Sequence, residues 1–229
     1  MAGQISIGDN GLSLQCDYST IKKLAKVEAL KMGGNCIVIT EHTLPNQRST
    51  CHRIKADVLL ISNAQEFESE ITWHEKRKLK IEDFKGSTEK RPFTAATASS
   101  FRARYEARPA TPNRFKVYIE TYFDCYSSYF KRTEADSVVL AHEQIHFDIS
   151  ELYSRKLLQR IESEISSQKE LQAKSEKILT EIGRELHIKQ DEYDSEVYAD
   201  PQKQIEWNNW IDKELLKNAK YSSGTLIVK

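Results

Sequence analysis

The stretch Ala141-His142-Glu143-Gln144-Ile145-His146-Phe147 contains an H-E-x-x-H motif between apolar residues. On an α-helix, a spacing of four residues puts His142 and His146 on one face, one turn apart, where both imidazoles can bind one metal ion. Glu143 then lies about 100° further round the helix, close enough to act on a water held by that metal. The motif therefore predicts a zinc-binding helix with Glu143 as general base.

The sequence around the motif has a long helical pattern. Between Pro112 and Gly183 the chain has neither glycine nor proline, and its apolar residues recur at helical spacing. The polar residues 163–169 are the expected break, so we predict a hairpin of two antiparallel helices. A single unbroken helix over residues 134–196 is the alternative. It would separate His146 from Glu196 by tens of ångströms, because an α-helix rises about 1.5 Å per residue.

The hairpin indicates where a third zinc ligand lies. Catalytic zinc has three protein ligands and one open position for water. If the chain turns near Gln168, Glu192 on the return helix is as far from the turn as Gln144 is. The segment Asp191-Glu192-Tyr193-Asp194-Ser195-Glu196 then lies at the level of the motif. Spacing alone does not choose among its acids, and His187 is also within reach.

Composition narrows the class of protein. The 229 residues are 39% hydrophobic and 30% charged, which fits one large domain or two small ones. Lysine plus arginine and aspartate plus glutamate each total 34, so the chain lacks the basic excess that binds phosphate, and we predict no nucleic-acid partner. No apolar run approaches about 18 residues, so no membrane-spanning segment is predicted. We also expect a targeting segment to be absent from this chain, because a strand is predicted directly after its first residues.

The pattern predicts an α+β protein with two domains. Residues 1–63 are predicted as a small α/β accessory domain of βαββ type. Residues 64–229 are predicted as a zincin-like metallopeptidase domain with a few antiparallel strands and the long helical hairpin. The predicted strands are residues 4–14, 36–39, 54–61, 93–105 and 114–123, and the predicted flanking helices are residues 20–32 and 201–216.

Three of the four cysteines, Cys16, Cys36 and Cys51, lie in the first 51 residues. One disulfide between two of them is expected, which favours an oxidising compartment. The sequence leaves the pairing open. A second zinc site built from Cys36, Cys51 and neighbouring histidines is the alternative, but its spacing matches no standard zinc motif.

Several strings occur together in a characteristic order. They are Ile71-Thr72-Trp73, Asp83-Phe84-Lys85-Gly86, Thr94-Ala95-Ala96-Thr97, His142-Glu143-Gln144-Ile145-His146-Phe147-Asp148-Ile149, and Tyr193-Asp194-Ser195-Glu196 with Trp207. Over residues 71–216 the chain thereby resembles a bacterial domain-of-unknown-function family of predicted secreted zinc-dependent proteases. The first domain is similar to accessory domains of envelope lipoproteins, chiefly in Gly33-Gly34-Asn35 and Ser49-Thr50-Cys51-His52-Arg53-Ile54.

The resemblance implies a zinc hydrolase of the gluzincin type, secreted or in the cell envelope, with one Zn²⁺ per chain. The third ligand it implies is Glu196, with Asp194 as the alternative. The chain departs from the family pattern just after Glu196, where Val197 and the pair Ala199-Asp200 replace a threonine and a His-Gly pair.

The predicted activity is hydrolysis of a peptide or protein substrate by a zinc metallopeptidase. The metal lowers the pKa of a bound water towards about 7, and Glu143 takes the proton and later delivers it to the leaving amine. A tyrosine could donate to the oxyanion, and Tyr193, Tyr153 and Tyr198 are equal candidates. The alternative is a non-catalytic envelope binding or scaffold protein whose zinc site is structural or degenerate. A lipid anchor on a longer precursor, the cleavage specificity and the oligomeric state stay open.

Overall fold

The structure is a computed structural model that describes residues 1–8, 17–46, 49, 51–107, 114–134 and 136–228. The chain folds into two compact units, Met1–Glu68 and Ser69–Lys229. The predicted boundary at residue 63 lies just before a short 3₁₀ helix, Ala64–Phe67, that belongs to the first unit. Over the described ranges, no helix is both long and apolar enough to cross a membrane.

The first unit is a three-stranded antiparallel sheet with one helix. Its elements are β1 (Gly3–Ile7), α1 (Tyr18–Lys31), β2 (Cys36–Thr43) and β3 (Arg53–Leu59), and the strand order is β1-β3-β2. Asp17 caps α1 by accepting a hydrogen bond from the Thr20 backbone. Gly33 follows the helix with φ of 77°, a conformation that favours glycine. The order is the predicted βαββ arrangement, although predicted strand residues 9–14 lie outside the described residues.

The cysteines of the described chain are in two states. Cys51 is disulfide-bonded, while Cys36 and Cys125 are not in a disulfide; Cys16 lies outside the described residues. Cys36 is therefore not a member of the predicted bridge.

The sheet of the second unit is organised around β7 (Phe115–Asp124). One edge of β7 pairs along its length with β6 (Ser99–Ala107), and the other edge pairs with β4 (Glu70–Thr72) and β9 (Thr225–Val228). Alternate β7 residues are fully buried, as expected of a strand with one face on the core. A separate small ladder joins β5 (Ala95–Ala96) to β8 (Tyr129–Phe130).

Three helices pack with this sheet: α2 (Ser137–Glu164), α3 (Gln168–Ala199) and α4 (Lys203–Lys217). Asp136 and Ser167 cap α2 and α3 by accepting hydrogen bonds from the backbone of Val138 and Glu170. Only residues 165–167 separate α2 from α3, so the predicted hairpin is present and the unbroken-helix alternative is wrong. The motif helix α2 contacts β6 and β7 as well as α3 and α4.

A buried polar cluster joins α2 to the segment after β4. The Asp148 carboxylate accepts hydrogen bonds from Trp73 Nε1 at 2.6 Å and from Gln144 Nε2 at 2.8 Å, and it pairs with Lys78 at 3.4 Å. Gln144 Oε1 in turn accepts from the Leu79 backbone at 2.8 Å. Burial raises the pKa of Asp148, and the positive charge of Lys78 opposes that rise. The cluster sets the position of the motif helix.

We expect Asp148→Ala to lower the free energy of unfolding by about 1–3 kcal/mol, because the indole N–H of Trp73 loses its buried acceptor. Asp148→Asn is the matched control, since its amide oxygen can still accept from Trp73, and it should lose less. Urea denaturation of the three proteins measures the difference. Equal losses for the two variants would show that the hydrogen bond from Trp73 does not account for the lost free energy of unfolding.

Candidate metal centre

Three potential zinc ligands from two helices converge in the second unit. Asp194 Oδ1 on α3 lies 3.0 Å from His142 Nε2 and 2.9 Å from His146 Nε2 on α2. The two imidazole nitrogens are 3.1 Å apart. Among the described residues, these three form the one group of histidine, cysteine and acidic side chains that could hold a metal ion.

The register of the helical hairpin explains why these three side chains lie together. His142 contacts Asp194, and His146 contacts Gln190; the members of each pair are equidistant from residue 168. Antiparallel helices of equal rise bring such residues to the same level, so the turn position predicted from the sequence places the motif opposite the correct part of α3.

The predicted third ligand, Glu196, does not join the group. It lies two residues beyond Asp194 and therefore about 200° further round α3. Its carboxylate accepts a hydrogen bond from Trp207 Nε1 at 3.0 Å. His187, the other candidate, is exposed on α3 and is not part of the group either. The geometry favours Asp194, the alternative ligand.

The three side chains fit zinc in chemistry and in spacing. Two imidazole nitrogens and one carboxylate oxygen are a common donor set of catalytic zinc, and tetrahedral bonds of about 2.1 Å separate ligand atoms by about 3.4 Å. The observed separations of 2.9–3.1 Å need only a slight expansion. The side chains of His142 and His146 are 10% and 13% exposed, whereas that of Asp194 is 38% exposed. Solvent therefore reaches the group from the Asp194 side.

The charges of the group are set by mutual contact. Burial by itself raises the pKa of Asp194, but the hydrogen bonds from His142 and His146 outweigh it, so the pKa is lowered. Burial by itself lowers the pKa of His146, but the hydrogen bond and charge of Asp194 outweigh it, so the pKa is raised. Asp194 is therefore an anion at neutral pH, and without a metal it favours the protonated form of His146.

Gln190 orients one of the histidines. His146 Nδ1 donates a hydrogen bond to Gln190 Oε1, and Gln190 Nε2 donates to the His146 backbone oxygen at 2.9 Å. With Nδ1 as the donor, Nε2 of a neutral His146 keeps its lone pair directed at the centre of the group. Gln190 is thus a positioning residue that the sequence reading missed. Only its register opposite His146 could have indicated it.

Gln190→Ala is expected to weaken zinc binding by about 10- to 100-fold, the usual effect of losing the outer partner of a ligating histidine. Competition with a chromophoric chelator gives the affinity directly. Gln190→Glu keeps an acceptor for His146 Nδ1 and should retain zinc affinity. If Gln190→Ala binds zinc as tightly as the unmodified protein, the hydrogen bond between His146 and Gln190 does not contribute to zinc affinity.

Glu143, the predicted general base, lies beside the group with an unusual environment. The residue is 4% exposed, and its Oε2 is buried without a hydrogen-bond partner among the described residues. Burial raises the pKa of Glu143, while the charges of the neighbouring histidines oppose that rise. Thr97 Oγ1 donates to the Glu143 backbone oxygen at 3.2 Å. One carboxylate oxygen therefore keeps its hydrogen-bonding capacity unused within the described protein.

The structure distinguishes the three tyrosines that are equal candidates for the oxyanion donor in the sequence. Tyr193 is fully buried, and its hydroxyl donates to Gln204 Oε1 at 2.7 Å. Its ring stacks on His142 with 4.6 Å between ring centroids, so it packs against the buried side of the site. Tyr153 is also buried, in the main core. Tyr198 is 64% exposed, with its ring centroid 5.6 Å from that of His142, and it is the tyrosine at the solvent side.

No protein-family model, curated protein or solved structure matches this chain. A function for the site therefore has to follow from its own side chains.

Proposed function

We propose that the second unit is a zinc-dependent peptidase of the zincin type, with His142, His146 and Asp194 as ligands and Glu143 as general base. The observation that carries the proposal is the unpartnered, buried Oε2 of Glu143 beside the three ligand atoms. A buried carboxylate oxygen without a partner costs stability. A purely structural metal site has no need of it, whereas a general base must keep an oxygen free for the proton it takes.

When bound, zinc supplies a Lewis acid that lowers the pKa of a coordinated water towards about 7. Glu143 accepts the proton of the attacking water and returns it to the amine that leaves. Tyr198, at the solvent side of His142, donates a hydrogen bond to the oxygen that becomes negative in the transition state.

The edge of the sheet supports peptide binding. The start of β6 lies along the motif, where Ser99 Oγ donates to the His146 backbone oxygen at 3.4 Å. In the part of the chain that the structure describes, β6 pairs with β7 alone, so its outer edge can hydrogen-bond an extended peptide. The bond to be cleaved would then run past Glu143.

A secreted or cell-envelope location is part of the proposal. Its support is the disulfide at Cys51 in the first unit, because disulfides persist in oxidising compartments and are rare in reducing ones.

Metal content and hydrolysis together test the proposal. The purified protein should contain about one zinc per chain by mass spectrometry of the metals. It should cleave an unfolded protein such as casein, lose that activity to a chelator, and regain it with zinc. A protein without zinc would refute the metal centre. A protein that holds zinc but cleaves neither casein nor a random peptide library would favour the structural-site alternative.

Tyr198→Phe is expected to lower kcat about 100-fold, as loss of one oxyanion donor does, with little change in KM because the ring remains. Tyr153→Phe removes a hydroxyl from the core and should leave kcat unchanged. Steady-state hydrolysis of a fluorogenic peptide compares them. Unchanged kcat in Tyr198→Phe would remove this tyrosine from the mechanism.

A further inference from the structure

Two exposed aromatic rings, Phe93 and Tyr198, stand next to the metal centre, and we name this pair the aromatic wall. Phe93 is 56% exposed and Tyr198 is 64% exposed. Their rings are nearly parallel, at 15°, with centroids 6.5 Å apart. The Tyr198 ring also lies against the ring of His142, so the wall is in contact with a proposed ligand.

The wall does not contribute to a hydrophobic core. Neither Phe93 nor Tyr198 belongs to a core cluster of the described chain. The two residues come from different elements, since Phe93 precedes β5 and Tyr198 lies in the last turn of α3. Two large aromatic side chains brought together in water, rather than buried, are typical of a surface that binds an apolar group.

The backbone after Phe93 connects the wall to the proposed peptide-binding edge. Residues 95–96 form β5, the Thr97 side chain contacts the Glu143 backbone, and Ser99 begins β6 along the motif. One segment of seven residues, 93–99, thus runs from the wall past the general base. A peptide extended along this segment places a side chain over the wall, because successive residues of a strand point to opposite sides.

We propose that the aromatic wall is a subsite that binds an aromatic or large aliphatic side chain of an extended peptide substrate. This inference rests on the proposed peptidase function, because that function supplies the peptide. The occupant is an apolar side chain, since the wall offers two ring faces and the hydroxyl of Tyr198 is used by the oxyanion. The negative charge of Asp194, which acts on Tyr198, disfavours an acidic side chain.

The test measures peptide binding without cleavage. Zinc-loaded Glu143→Gln protein is titrated into fluorescent ten-residue peptides of Gly, Ser and Thr that carry one Phe, one Leu or one Glu at each position in turn. At one position, Phe or Leu should improve affinity about 10-fold over Ser, as partial burial of such a side chain does, and Glu should not. Adding Phe93→Ala should abolish that preference. Adding Tyr126→Ala, which removes an exposed aromatic outside the wall, should retain it.

Each outcome bears on one proposal alone. Equal affinity for all peptides, or a preference that survives Phe93→Ala, overturns the subsite. Absence of zinc, or of zinc-dependent casein hydrolysis, in the unmodified protein overturns the peptidase function. In a protein that binds zinc but does not cleave casein, a preference that depends on Phe93 still supports the subsite.

Discussion

Glu143→Gln protein is expected to retain its zinc and to lose peptidase activity by about 100- to 10,000-fold, the range that positioned proton transfer contributes. The amide has the size of the carboxylate but cannot take a proton from water. Glu143 is no ligand in the proposed set, so the metal content should stay at about one zinc per chain. The measurements are kcat/KM for a fluorogenic peptide and metal analysis of the same sample. Undiminished activity at full zinc content would refute the mechanism.

The same substitution should leave the metal-free protein at least as stable as before. Burial raises the pKa of Glu143 above its unfolded value of about 4.3. Because the pKa is higher in the folded state, Glu143 contributes its full stabilisation below the unfolded-state pKa. That contribution is lost as the pH rises through the folded-state pKa. Relative to Glu143→Gln, the unmodified protein should therefore lose stability between pH 4 and neutral pH. Urea denaturation of both metal-free proteins at pH 4 and pH 7 measures this difference.

Asp194→Ala is expected to lower zinc affinity by more than about 100-fold, because loss of a ligand exceeds the 10- to 100-fold effect of losing an outer partner. The variant leaves His142 and His146 without their shared carboxylate. Activity should fall with the zinc content. Isothermal titration of zinc into the metal-free protein gives the affinity.

Glu196→Ala is the matched control, because it removes a carboxylate two residues away on the same helix. It should bind zinc normally and lose only the hydrogen bond from Trp207, at a cost of about 1–2 kcal/mol in unfolding free energy. Reversed results, with zinc lost in Glu196→Ala and kept in Asp194→Ala, would restore the ligand implied by the family resemblance. Circular dichroism of both variants establishes that each is folded.

Much of the fold follows from local patterns in the chain. Apolar spacing predicts α1, α2, α3 and α4, because each helix buries a stripe that recurs every three to four residues. Two short strands of the sheet around β7, namely β4 and β9, are not predicted. Each has only three or four residues, too few for an alternation to be recognised. They are specified by pairing with β7, and β9 follows Gly224, whose φ of 62° allows the turn.

Local sequence specifies the motif and the register of the hairpin. His142, Glu143 and His146 are placed by the helical period, and the break after α2 brings the acidic part of α3 to their level. Which of Asp194 and Glu196 lies against the two histidines depends on tertiary structure alone. The reason is the rotation of α3 about its axis, which is set by packing. Trp207 on α4 donates a hydrogen bond to Glu196, and His146 donates one to Gln190. Local periodicity carries no information on that rotation, because it arises from contacts between helices far apart in the chain.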